Sequence, residues 1–264
     1  MPASADEFPV HRWREVWSGA DVSSDVWLVY SGVTIAPFSH IYGEGLRFRV
    51  VGGYGRYNYS GDRSPAPGQA AAGQVAFHAE TGFADVLVGY LMRFGPLTAK
   101  SFIGASAVSH DIAPFDEDNL VIGDDFGVKG VVELWLNIGS DGWGSLDMSW
   151  SSAHETRAVR TRLGYRVLPT LSVGLEGGLN IDAQGDCDLG TKETTACRLQ
   201  LSQQDASEAE DLSFLDYARV GSFVRYEWAG GEVSLSGGAL GGSFKHELST
   251  DVAPYVTVNV LAQF

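Results

Sequence analysis

The sequence predicts an all-β chain, a transmembrane antiparallel up-and-down β-barrel of about 12 strands, from three observations. Apolar and polar residues alternate with a period of two in segments of about ten residues, the length a tilted strand needs to cross a bilayer. The connections between segments alternate between short and long. The chain also ends on a segment whose valines share a face with a terminal Phe264. Composition agrees, since glycine reaches 33 residues and aromatics 11%. Gly, Ser and Thr recur inside apolar segments and disfavour helix. No stretch approaches the roughly 18 consecutive apolar residues of a membrane-spanning helix.

Phe126–Ile138 shows the alternation best, with Phe126, Val128, Gly130, Val132, Leu134, Leu136 and Ile138 on one face and Lys129, Glu133 and Asn137 on the other. In Thr170–Asn180, Leu171, Val173, Leu175, Gly177 and Leu179 oppose Ser172, Glu176 and Asn180. Ala84–Phe94 carries Asp85 and Arg93 on its polar face, and in Ser145–Ser152 Leu146, Met148 and Trp150 oppose Ser145, Asp147 and Ser149. Arg160, Arg162 and Arg166 lie opposite Val159, Leu163 and Tyr165; Val224, Tyr226 and Trp228 oppose Arg225 and Glu227. Asp25–Ala36, Leu46–Tyr59, Thr98–Val108, Glu232–Leu240 and Tyr255–Phe264 complete the regular set.

Short turns at Arg93–Leu97, Ile138–Trp143, Val167–Thr170 and Trp228–Glu232 alternate with long segments at Tyr59–Gln74, His110–Asp125, Ile181–Phe214 and Gly241–Pro254. Short periplasmic turns and long outer loops are how outer-membrane barrels are built. Counting back from the C-terminus makes Asp25–Ala36 run downward. An even strand number then needs one more upward strand, for which Arg14–Val22 is the candidate. Residues 1–13 are expected to form an N-terminal periplasmic extension and 14–264 the barrel. The opening MPASADEFPV lacks the basic start and apolar core of an export signal, so a processed or replaced start is expected.

The formal charge is −15. A nucleic-acid partner is excluded, because phosphate binding needs a basic face. Acids cluster between strands, at Asp116, Glu117, Asp118, Asp124 and Asp125 and at Asp205, Glu208, Glu210 and Asp211. Solvated loops explain them better than a cation site, since none has the spacing of a calcium loop. Cys187 and Cys197 share one polar segment, and export through an oxidising compartment is expected to join them as a disulfide.

Several segments carry a family resemblance: Trp17–Phe38 (WSGADVSSDVWLVYSGVTIAPF), Gly95–Asp111 (GPLTAKSFIGASAVSHD), Gly127–Ile138 (GVKGVVELWLNI), Ser145–Glu155 (SLDMSWSSAHE), Gly164–Asn180 (GYRVLPTLSVGLEGGLN) and Arg225–Gly238 (RYEWAGGEVSLSGG). From about Trp17 to Phe264 the chain resembles the cellulose biosynthesis protein BcsS family. The resemblance implies a bacterial outer-membrane location and an accessory role in cellulose production, as a narrow porin-like channel or a surface docking protein for the exopolysaccharide. It implies exported cellulose or other synthesis components as partners, beside outer-membrane lipid, and brings no catalytic residues. The Cys-bearing, acid-rich segment Asp182–Asp211 departs from the family pattern.

The candidate site is the charged inner face: Arg47, Arg49, Arg93, Lys100, Lys129, Arg160, Arg162, Arg166, Arg219 and Arg225 against Asp85, Glu133, Asp147, Glu176 and Glu227. Bases outnumber acids there, so the lumen is expected to be net positive. Two uses follow: the charges pair and plug the interior, or they line a narrow channel and tune its selectivity. Trp135, Trp143 and Tyr57 are candidates for stacking on sugar rings, against the commoner use of such residues as interfacial girdles. Val256, Val258, Val260 and Phe264 resemble the C-terminal signal read by the barrel assembly machinery. No cofactor and no metal are expected, His78 and His110 being isolated. The glycines of VVGGYG at Val50–Gly55 read as barrel packing rather than a phosphate cradle. Ser151, His154 and Glu155 leave a membrane-embedded lipid or glycan hydrolase as the alternative, with geometry to decide.

Overall fold

The computed structural model describes residues 12–62, 74–116, 119–183, 218–241 and 252–264. Twelve strands follow in chain order: β1 Arg14–Ser23, β2 Val26–Ile35, β3 Gly45–Asp62, β4 Gln74–Phe94, β5 Leu97–Ala113, β6 Gly123–Ile138, β7 Gly142–Ser151, β8 Arg157–Leu168, β9 Leu171–Ile181, β10 Ala218–Trp228, β11 Gly231–Leu240 and β12 Ala253–Gln263. Each pairs antiparallel with the next, and β12 returns to β1 over a register running from Glu15↔Gln263 to Ser23↔Tyr255. Closure leaves the wall without a free edge, the condition for a sheet to exist in hydrocarbon. The two Cys positions lie outside the described residues.

The outer wall is apolar and open. Leu175 is 67% exposed and Ile103 60%, and they belong to a continuous surface with Val86, Leu163, Val220 and Leu235 that water would penalise and lipid does not. Aromatic residues bound this band. Trp27 and Tyr54 meet edge to face at 5.7 Å near its upper rim, with Phe126 and Trp150. Tyr90, Phe94, Tyr165, Tyr226 and Trp228 ring the lower rim. The start of β1, the end of β12 and four of the five shortest turns lie at the lower end, which is therefore periplasmic. Gly95 and Gly139 sit in two of those turns with φ of 59° and 63°, a conformation side chains resist.

Three connections break the alternation of short and long. On the extracellular side β1–β2 spans only residues 24–25 and β7–β8 only 152–156, whereas the periplasmic β2–β3 connection spans residues 36–44.

Strands β3, β4 and β5 run to 18, 21 and 17 residues, far beyond the ten or so that cross the bilayer. Their upper parts rise as a fin above the membrane, and there the polarity of the two faces reverses. Tyr59, Phe77, Ala79 and Ile112 turn inward and form a small buried core with Tyr57, Val75 and Ile122. Arg56, Asn58, His78 and Glu80 turn outward, where water replaces lipid. The strand at β4 was expected from Ala84; it starts at Gln74 because this inverted segment keeps the pleat while exchanging which face is apolar.

Candidate functional site: the barrel lumen

Alternation places the polar face of every strand inside the barrel, and the side chains there bond across it. Glu133 on β6 accepts both arms of the Arg49 guanidinium from β3, one at 3.2 Å, although the two strands are separated by β4 and β5. Lys100 on β5 stands 3.4 Å from Glu133 and 3.7 Å from Glu15, which comes from β1. Lys129 reaches Asp85 at 2.6 Å, and the same carboxylate accepts the Ser106 hydroxyl at 2.6 Å. These bonds brace one side of the lumen.

A second hub forms on Glu176 of β9, whose side chain is 0% exposed. Arg160 donates to its Oε2 at 2.7 Å and Arg162 at 3.0 Å, and the Tyr255 hydroxyl of β12 donates to Oε1 at 2.7 Å. Above it Arg219 of β10 lies 3.6 Å from Asp21 of β1, which also accepts the Thr257 hydroxyl. Tyr30 donates to Asn259 at 2.6 Å.

At the periplasmic half, Arg225 pairs with Glu227 at 2.9 Å and with Glu232. Its guanidinium also lies over the Trp135 and Trp143 rings, at 4.8 and 5.2 Å. The two indoles stack at 4.4 Å, and Trp143 is 1% exposed with its Nε1 donating to Ser172 at 3.3 Å. Burial therefore closes Trp143 to a sugar ring, which corrects the expected stacking at that residue, while Trp135 keeps part of its surface open. Tyr57 likewise stacks on Tyr59 at 6.0 Å inside the fin and bonds His110 at 3.1 Å.

Most sequence-derived candidates join these three groups, and four do not. Arg47 turns inward but is spent on the β2–β3 connection, donating to Ser39, Leu46, His40, Ile41 and Gly43. Arg93 is exposed at the periplasmic rim, its backbone N–H donating to Glu44 at 2.9 Å. Asp147 faces inward between its register partners Glu133 and Arg160, and Arg166 lies lower on the Arg160 face of β8. Three inward acids were missed: Glu15, Asp21 and Glu232. They balance much of the basic excess expected from the sequence. The signal was the two-residue spacing Glu15, Trp17, Gly19, Asp21 in β1, a strand too rich in small and polar residues to declare its faces.

The hydrolase alternative depends on Ser151 and His154. Ser151 Oγ accepts the Ala153 N–H at 3.2 Å, while His154 Nε2 lies 3.3 Å from the Gly123 carbonyl and its ring meets His110 at 5.1 Å. No hydrogen bond joins Ser151 to His154 among the described residues. His154 and Glu155 hold φ of 46° and 52° in a tight turn on the extracellular side, away from the lipid face.

A closed twelve-strand barrel with an apolar outer wall and a charged interior is an outer-membrane β-barrel. Residues 16–264 match the model of the family described as cellulose biosynthesis protein BcsS, and the chain belongs to that family. No curated protein matches the sequence. Among solved structures it is similar to an outer membrane channel from Pseudomonas putida F1, at 10% identity over 100% of each chain with a TM-score of 0.46. The translocator domain of autotransporter NalP from Neisseria meningitidis gives 11% identity over 98% of this chain and 91% of that one, TM-score 0.46. The KdgM porin in complex with disordered oligogalacturonate gives 9% identity over 95% and 99%, TM-score 0.46.

Proposed function

We propose that this barrel is a non-enzymatic accessory of cellulose production that docks the exported polymer, or a component of its synthesis, at the outer membrane, and that its lumen does not pass the polymer. The observation that carries the reading is the set of bonds crossing the lumen, Arg49–Glu133, Lys100–Glu15, Arg219–Asp21 and Tyr255–Glu176, each joining strands that are not neighbours. A glucan strand would have to break them. The fin supports a docking role, because it carries three strands of rigid sheet above the membrane at no benefit to a pore.

A narrow channel for small ions is the second reading. It is favoured by Lys100, Glu133, Asp21 and Glu232, which keep about a quarter of their side-chain surface open, so water enters between the braces. Residues 1–13 would lie on the periplasmic side in either case, and Val256, Val258, Val260 and Phe264 would present the assembly signal.

The docking role is tested by pelleting liposomes that carry the barrel with insoluble cellulose. Retention well above that of empty liposomes, lost when the fin is shortened to the membrane rim by removing residues 59–77 and 111–122, supports it. Retention equal to empty liposomes overturns docking to the polymer itself.

A further inference from the structure

Four residues near the periplasmic ends of their strands are buried where an open barrel mouth would leave them wet. Glu15 near the start of β1 is 4% exposed, Arg47 of β3 1%, Leu91 of β4 0% and Gln263 at the end of β12 7%. What lies at that mouth is the β2–β3 connection, residues 36–44, the longest of the periplasmic turns. It does not hang into the periplasm. Ile41 is buried and its N–H donates to the Arg12 carbonyl at 2.7 Å, while the Ala36 N–H donates to the Trp13 carbonyl at 2.7 Å. The Tyr42 hydroxyl is reached by Gln263 Nε2, from a strand separated from β2 by β1. At its other end Glu44 accepts the Arg93 N–H.

We propose that residues 36–44 are a periplasmic strap that closes the inner mouth of the lumen and is pinned there by Arg47. The guanidinium sits inside the strap's own curve. Its Nη1 donates to Ser39 Oγ at 2.9 Å, and its Nη2 donates to the carbonyls of His40 at 3.2 Å, Ile41 at 3.1 Å and Gly43. One charged group thus satisfies backbone acceptors that folding the strap inward would otherwise strand away from water. The strap forms no strand pairing with the wall, so it is a closure laid across the mouth and displaceable without unzipping the barrel. It shares Glu15 with the ion-pair braces, through Lys100, and does not depend on what the extracellular fin binds.

The test places a single thiol behind the strap, as Leu91→Cys with Cys187→Ser and Cys197→Ser. The rate of its reaction with a small charged methanethiosulfonate is then followed by mass spectrometry on the full chain in detergent. With Arg47 present the thiol reacts slowly. Adding Arg47→Ala is expected to raise the rate at least tenfold while the barrel keeps the heat-shifted gel mobility of a folded barrel. Equal rates in the two folded proteins, or a fast rate already with Arg47 present, overturn the proposal. Should Arg47→Ala fail to fold, Gln263→Ala frees the far end of the strap and keeps the pin; a threefold rise supports the closure and no rise overturns it. Pelleting of Arg47→Ala liposomes with cellulose reads the docking role separately, so failure of one reading leaves the other visible.

Discussion

Replacing Glu176 by Ala removes the acceptor of two arginines and a tyrosine in one step. Arg160 and Arg162 sit two residues apart on one face of β8, and both donate to the same carboxylate oxygen, whose side chain is fully buried. If that hub is dry, losing one partner of a buried pair leaves uncompensated charge and costs about 3–5 kcal/mol. If the lumen is wet enough to conduct freely, the same pair behaves as an exposed one and its loss costs about 0–1 kcal/mol. Equilibrium urea unfolding of the barrel in phospholipid vesicles, followed by tryptophan fluorescence, separates the two. The expected result is a loss of about 3 kcal/mol or more, largely restored in Arg160→Met/Arg162→Met/Glu176→Leu, where apolar groups of similar volume replace the charges. A loss below about 1 kcal/mol, in the range of an exposed pair, refutes the reasoning that the lumen is closed at this level.

Gly164→Ala should destabilise by about 1–3 kcal/mol through overpacking, since a Cβ there would overlap the Trp143 indole on the neighbouring strand, and Trp143→Leu in the same chain should relieve it; urea midpoints check both. Removing Phe264 should lower the amount of folded barrel in the outer membrane of cells, read by heat-modifiable gel mobility, while refolding into vesicles without the assembly machinery continues. Peptide mapping without reductant should return Cys187 and Cys197 as one linked species, and two separately alkylated peptides would show free thiols.

The barrel was legible because hydrocarbon outside and polar groups inside write a two-residue period into every crossing, as in Phe126–Ile138 and Thr170–Asn180. The first strand came instead from counting, since an even strand number required one more crossing; it begins at the expected Arg14 and runs to Ser23, one residue past the expected Val22. The period failed where the solvent changed. From Gln74 to Glu80 the outward positions are Gln74, Ala76, His78 and Glu80, and the inward ones Val75, Phe77 and Ala79, the reverse of the membrane part of the same strand. A period tied to lipid cannot follow a strand into water. The candidate site was legible as a set of inward charges and no further, because which base meets which acid depends on strands far apart in sequence. Arg49 and Glu133, or Lys100 and Glu15, are joined by closure of the sheet rather than by any local pattern. Arg47 shows the opposite failure. Its alternation with Arg49 marked both as lumen charges, yet the carbonyls that hold it belong to a turn with no period at all.

Single-channel recording of the purified chain in planar bilayers tests the closed lumen most directly. Insertion without stable conductance steps is expected from the unaltered barrel, and steps only once the braces and the pin of the periplasmic strap are removed together in Glu133→Ala/Glu176→Ala/Arg47→Ala. Stable steps from the unaltered chain, with an anion preference that disappears when Arg160, Arg162 and Arg166 are neutralised, would contradict it and make the lumen a working channel.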